Sequence, residues 1–143
     1  MTKNLPAAKP FSLPVRVYYE DTDAGGVVYY ANYLKFLERA RTEWLRAAGF
    51  EQPELMRDHN VIFVVRSVAI EYLQPARFND ALDVTVRLEK LGSCTIDVFQ
   101  TVERAARLVE ARVRIVCVDQ RNGFKPVRIP TFIRQQLESA SSA

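Results

Sequence analysis

Apolar and polar positions along this chain change period several times, and each change marks an element. Val15, Val17 and Tyr19 alternate with Arg16 and Tyr18, a period of two that predicts a first strand ending near Glu20. A Gly25-Gly26 turn follows. The period then becomes helical: Tyr33, Leu37, Ala40, Trp44 and Ala48 share one face, Phe36 and Leu45 widen it, and charged residues fill most of the rest. Asn32 is placed to cap this helix, Arg39 and Glu43 to pair across one turn, and Gly49 to end it.

Beyond a linker that holds a short helical turn over Pro53 to Arg57, the period returns to two. Ile62, Val64, Val68, Ile70 and Tyr72 predict a long strand closed by Pro75. Leu82 to Leu88 alternate with Asp83 to Glu89 in a second, and Gly92-Ser93 makes a turn. Cys94, Ile96, Val98 and Val102 mark a third, and Val109 to Cys117 a fourth. Asn122-Gly123 reads as a hairpin turn into a short strand near Lys125 to Ile129, after which Pro130 opens a brief amphipathic helix. One helix cannot cover both faces of so many consecutive strands. The pattern therefore predicts an α+β fold in which a curved antiparallel sheet of about five strands wraps one long central helix. The uncovered face or edge of that sheet invites a second subunit. Residues 12–138 form one domain in this reading, with residues 1–11 and 139–143 as flexible tails.

Composition narrows the partners. With 143 residues, 48% of them hydrophobic, the chain can bury one real core. Its formal charge of +3 is interspersed along the sequence, which fits an anionic small ligand. Zinc-finger spacing, RNA-binding aromatic signatures and Lys/Arg runs are missing, which argues against nucleic acid. Cys94 and Cys117 read as small buried hydrophobes in a reducing compartment, and with His59 as the sole histidine no metal site is predicted. Neither a signal peptide nor a membrane span is predicted, so the expected location is the cytoplasm.

Candidate chemistry gathers between Tyr18 and Tyr33. Glu20, Asp21 and Asp23 sit at the exit of the first strand, and Asp23 is followed by the pliable Ala24-Gly25-Gly26 turn and the start of the helix. A carboxylate facing a helix N-terminus suits carbonyl chemistry: the carboxylate serves as base or nucleophile and the free N–H groups stabilise an oxyanion. Taken alone, Asp23 equally fits an aspartate that simply forms a turn. Glu20 and Asp21 are read as solvated or structural. Arg66 interrupts an apolar strand face, which places it at a sheet edge, beside a carboxylate or on a phosphate. Ser67 points the other way and is within reach of a partner subunit's site. His59, in the polar run Arg57-Asp58-His59-Asn60, reads as a surface residue, with a dehydratase base as the rival.

The run Glu20-Asp21-Thr22-Asp23-Ala24-Gly25-Gly26-Val27-Val28-Tyr29-Tyr30-Ala31-Asn32-Tyr33 resembles the hot-dog fold acyl-CoA thioesterases of the 4-hydroxybenzoyl-CoA thioesterase class. Leu37 to Glu43, Val64-Val65-Arg66, Glu71-Tyr72 and Pro75-Ala76-Arg77 extend the resemblance over nearly the whole chain. It is nearest to the acyl-CoA thioesterases associated with the Tol–Pal envelope system. The resemblance implies a hot-dog fold and hydrolysis of acyl-CoA or acyl carrier protein thioesters, with no cofactor. It also implies a homodimer or homotetramer. Asp23 falls on the family's catalytic aspartate. Tyr30 falls where a backbone N–H polarises the thioester carbonyl, a place at which the nearest relatives usually carry histidine. The basic cluster that meets the nucleotide phosphates in the aromatic-acyl enzyme is replaced by Gly92-Ser93-Cys94, leaving Lys90 and Ser93 as candidate contacts beside Arg66 and Ser67. The alternative is a non-enzymatic acyl-thioester binding or scaffold protein at the cell envelope.

Overall fold

The computed structural model describes residues 3–4 and 9–142. Strand β1 (Lys3–Asn4) and strand β2 (Phe11–Arg16) both pair with β4 (Ala81–Leu91). Beyond β2 come a 3-10 turn (Tyr19–Asp21), helix α1 (Asn32–Ala47), helix α2 (Gln52–His59) and strand β3 (Val61–Tyr72). Strands β5 (Thr95–Arg104), β6 (Ala106–Asp119) and β7 (Lys125–Pro126) and helix α3 (Thr131–Ser142) complete the chain. All strand pairs are antiparallel, and the five long strands lie in the order β2-β4-β5-β6-β3. This is the α+β architecture that the hydrophobic pattern predicts, a curled sheet around a central helix.

The sheet closes on α1 because α1 carries a wide apolar stripe. Phe36, Leu37 and Ala40 are completely buried, as are Val84, Val98 and Val102 from the facing strands. Burying side chains of the Leu and Phe class contributes about 1.5–3 kcal/mol each. At its C-terminus α1 ends in a Schellman arrangement: Gly49 takes φ +98°, its N–H donates to Arg46 O (3.0 Å), and the Phe50 N–H donates to Leu45 O (2.9 Å). α3 packs Ile133 and Leu137 into the core. It runs to Ser142, into the stretch expected to fray.

Several local expectations are revised. The first strand is shifted toward the N-terminus: it begins at Phe11 and ends at Arg16, because residues 19–21 turn into the 3-10 segment instead of staying extended. Lys3–Asn4, within the expected tail, pair with Leu91 and Lys90. Ala31, not Asn32, occupies the cap position of α1, and the Asn32 side chain is drawn away to a carboxylate. Glu43 pairs with Arg46 in place of Arg39, whose guanidinium lies over the Phe36 ring (5.9 Å).

The largest revision concerns β3. Its register against β6 slips between Val65 and Ser67, so Arg66 is the extra residue of a bulge. Before the bulge the odd positions Val61 and Phe63 are buried; after it the even positions Ile70 and Tyr72 meet the core side. The single uninterrupted face from Ile62 to Tyr72 does not form. β3 is also the free edge of the sheet among the described residues, and Arg66 lies exposed upon it. No helix among the described residues is long and apolar enough to cross a membrane, and no group of three or more His, Cys, Asp and Glu is placed to hold a metal ion.

Candidate active site

The segment between β2 and α1 is held by hydrogen bonds more than by packing. Asp21 is buried and braces it at two points: Oδ2 accepts from the Tyr18 N–H (2.8 Å) and Oδ1 from the Asn32 side-chain amide (3.0 Å). Its carbonyl also accepts from the Tyr29 N–H (2.9 Å). One carboxylate thereby ties the strand exit to the first residue of the helix. The expected structural role of Asp21 takes this concrete form. No sequence-local signal pointed to the partner, since Asp21 and Asn32 are 11 positions apart.

Asp23 stands on the exposed tip of the same segment. Thr22 bridges to Val28, the Asp23 N–H donates to Val27 O (2.9 Å) and the Gly26 N–H donates to Asp23 O (3.0 Å), so the chain doubles back in a tight loop. Gly26 makes the reversal at φ +79°, a region costly to other residues. The Asp23 carboxylate accepts from the Gly25 N–H through Oδ1 (2.8 Å). That bond fixes the side chain and leaves Oδ2 with no partner among the described residues.

The loop delivers the chain directly to the start of α1. Tyr30 and Ala31 precede the helix, and among the described residues their N–H groups have no acceptor. Free amides at a helix N-terminus carry partial positive charge and bind anions or polarised carbonyl oxygens. The Tyr30 carbonyl accepts from the Tyr72 hydroxyl (3.1 Å), and their rings meet edge to face (6.3 Å). Tyr33 is buried, and its hydroxyl accepts from the Ala76 N–H (3.0 Å). Burial pushes the Tyr33 phenol above its ordinary value, so it serves here as a neutral strut. Tyr72 and Tyr33 were visible in the sequence only as apolar-face residues; their hydroxyl bonds position the helix entrance. A cleft of about 230 Å³ opens at this point, lined by Val28, Tyr30, Tyr33, Tyr72, Leu73 and Pro75.

The other candidate residues lie elsewhere. Ser67, Arg114, Asp97 and Lys90 occupy one row of registers across β3, β6, β5 and β4. Strand spacing puts Ser67 and Lys90 ~14 Å apart along that row. Arg114 and Asp97 fill its middle with a two-pronged ion pair (2.8 and 3.0 Å). Arg66 sits at the bulge beside Ser67, and Ser93 lies on the β4–β5 turn, its carbonyl accepting from the Ile129 N–H (2.8 Å). None of Arg66, Ser67, Lys90 and Ser93 lines the cleft beside Tyr30 within one chain. His59 lies exposed at the end of α2, its ring against Phe132 (4.6 Å) and away from that cleft.

A family model described as the thioesterase-like superfamily matches residues 17–137. The chain is 46% identical over 125 residues to the acyl-CoA thioesterase YbgC of Haemophilus influenzae, a match spanning 87% of this chain and 91% of that protein. It is 46% identical over 125 residues to the acyl-CoA thioester hydrolase YbgC of Escherichia coli O157:H7, across 86% and 92% of the two chains. Among solved structures, a probable thioesterase from Bartonella henselae superposes with a TM-score of 0.81 at 34% identity, covering 85% of this chain and 100% of the other.

Proposed function

The chain belongs to the thioesterase-like superfamily, and from that footing we propose that it hydrolyses acyl-CoA thioesters, with Asp23 as the catalytic carboxylate and the Tyr30 N–H as oxyanion donor. One observation carries the reading. A carboxylate fixed by its own turn stands on the loop that leads into the free N–H groups of a helix start, and that start borders a cleft. The thioester carbonyl oxygen docks on the Tyr30 amide. Asp23 either attacks the carbonyl carbon, expelling the CoA thiolate to leave a mixed anhydride that water then hydrolyses, or takes a proton from the attacking water, after which the C–S bond breaks to release the acid and the CoA thiol. Negative charge that develops on the oxygen is met by the amide and by the end of α1. The Tyr30 side chain is not required for this step, so tyrosine in place of histidine leaves the donor intact.

Arg66, Ser67, Lys90 and Ser93 enter the reading as contacts for the CoA portion, across a subunit boundary. A homo-oligomer is supported by the free edge of β3 among the described residues. Acyl carrier protein thioesters as alternative substrates, a cytoplasmic location and association with the Tol–Pal system belong to the same proposal.

The test is thiol release from a panel of aliphatic and aromatic acyl-CoAs and from acyl carrier protein thioesters, by the native chain and by Asp23→Asn. Turnover of CoA thioesters by the native chain that collapses in the variant supports the reading. Absence of turnover in both, with the thioesters still bound, favours the binding or scaffold role.

A further inference from the structure

The cleft beside Tyr30 is one of two that lie between α1 and the edge strand β3. α1 and the edge strand β3 run in opposite directions: Tyr72 at the end of β3 meets Tyr33 at the start of α1 (ring centroids 5.5 Å), while Phe63 near the start of β3 lines a second cleft with Leu45 near the end of α1. Val65 and Val68 lie along β3 between those points, both exposed. Leu34, also exposed, falls on the helical stripe of Glu38, Arg41 and Leu45. Both clefts and the stretch between them carry apolar side chains that the described residues leave uncovered, with Glu38 and Arg41 among them. The second cleft measures about 230 Å³.

One charge stands out inside it. Arg46 on the rim is paired with Glu51 (2.9 Å), and Glu38 accepts from the Thr42 hydroxyl (3.0 Å). Arg41 is partly buried and makes no ion pair among the described residues; its one side-chain hydrogen bond runs from Nη1 to Gln100 Oε1 (3.0 Å). Gln100 is a built support: it is completely buried on β5, and its Nε2 donates to Leu37 O (3.1 Å) and Thr85 O (3.3 Å). Burial pulls the Arg41 pKa down and the nearby Glu38 charge only partly offsets it, yet a guanidinium remains protonated. The remaining N–H donors of Arg41 face a cleft that Glu38 and Glu51 also line, with no direct ion pair among the described residues, and so stand open to an anion.

We propose that the two clefts act as one groove that holds the acyl chain and that Arg41, braced by Gln100, receives a carboxylate at its far end. The preferred substrates are thioesters of medium-chain dicarboxylic acids. The proposal rests on the thioesterase reading above and adds a substrate class to it. Helical rise sets the Arg41 backbone ~16 Å beyond Tyr30, too far for a short acyl chain to reach its side chain. The planar fork of a guanidinium matches a carboxylate at two points. A plain methyl end would leave those donors unmatched.

Thiol release from suberyl- and sebacyl-CoA is compared with that from octanoyl- and decanoyl-CoA, the same chains without the distal carboxyl group. The expected ratio of kcat/KM favours the dicarboxylic thioesters about tenfold to a hundredfold, the value of a charge-assisted contact. Arg41→Met brings that ratio to about one, and Arg41→Lys, which keeps the charge, retains part of it. Should the methionine variant not fold, Arg41→Gln preserves a hydrogen bond to Gln100 and gives the same reading. A native ratio near one, or a preference that survives loss of the charge, overturns the proposal. Turnover of none of the four by the native chain would sink the thioesterase reading, and binding then decides the groove. Non-hydrolysable CoA thioethers with and without the distal carboxylate are titrated calorimetrically. Tighter binding of the carboxylated one, lost in Arg41→Met, supports the groove assignment, and equal binding contradicts it.

Discussion

Two neighbouring stretches of this chain are held by opposite forces. From Tyr18 to Asn32 the backbone is shaped by hydrogen bonds to two carboxylates, and Tyr18 and Tyr30 are each 61% exposed. A few residues on, Phe36, Leu37 and Ala40 are 0% exposed, and their side chains are held by close packing. The contrast supports placing the proposed chemistry in the first stretch. A loop built from fixed polar contacts can present a carboxylate and free amides to a substrate, whereas a packed helix face has no spare donor or acceptor. It also separates activity from stability: changes at Asp23 should strike one, and changes at Leu37 the other.

The largest expected effect is on rate. Asp23→Asn keeps an oxygen for the Gly25 N–H, so the turn survives, but it removes the base or nucleophile; turnover should fall about 10²–10⁴-fold in a steady-state thiol-release assay. Leu37→Ala should do the reverse, costing about 2–5 kcal/mol in denaturant unfolding with catalysis retained in the folded fraction. Asp21→Asn lies between the two regions. Its new amide would face the Asn32 amide, donor against donor, and the expected cost is about 1–3 kcal/mol, together with a loosened helix entrance and a lower kcat. Gly26→Ala, at φ +79°, should cost about 1–2 kcal/mol and shift kcat, since it strains the loop without touching the carboxylate. The smallest effect concerns a thiol. Burial pushes Cys117 up to about 11, with the nearby Cys94 adding to it, so at neutral pH it is protonated and should not react with Ellman's reagent until the chain unfolds.

Most of the architecture was legible because each element announces itself by its apolar period. The failures have physical causes. Along β3 both faces are apolar as far as Val65, so the inserted Arg66 leaves no trace in the pattern, and the even-numbered positions read as one continuous face when the bulge in fact exchanges faces. Asn32 looks like a cap by residue type, but its amide finds Asp21 across the loop, a partner that only the fold brings near. Gln100 sits at a core parity between Val98 and Val102 and reads as an oddity until its two carbonyl partners and Arg41 are in place. Asp23 and Tyr30 are candidates on their motif alone; the freedom of the Tyr30 N–H and the brace beneath it came only from the backbone path.

The central claim of the proposal is that Asp23 acts in chemistry and that loss of its charge leaves the fold intact. The direct test measures kcat and the melting temperature of Asp23→Asn beside the native chain on one shared acyl-CoA. This account predicts a kcat lower by at least about a hundredfold with a melting temperature unchanged within about 2 °C. A kcat within about tenfold of native, outside the range for loss of a catalytic base, would contradict it.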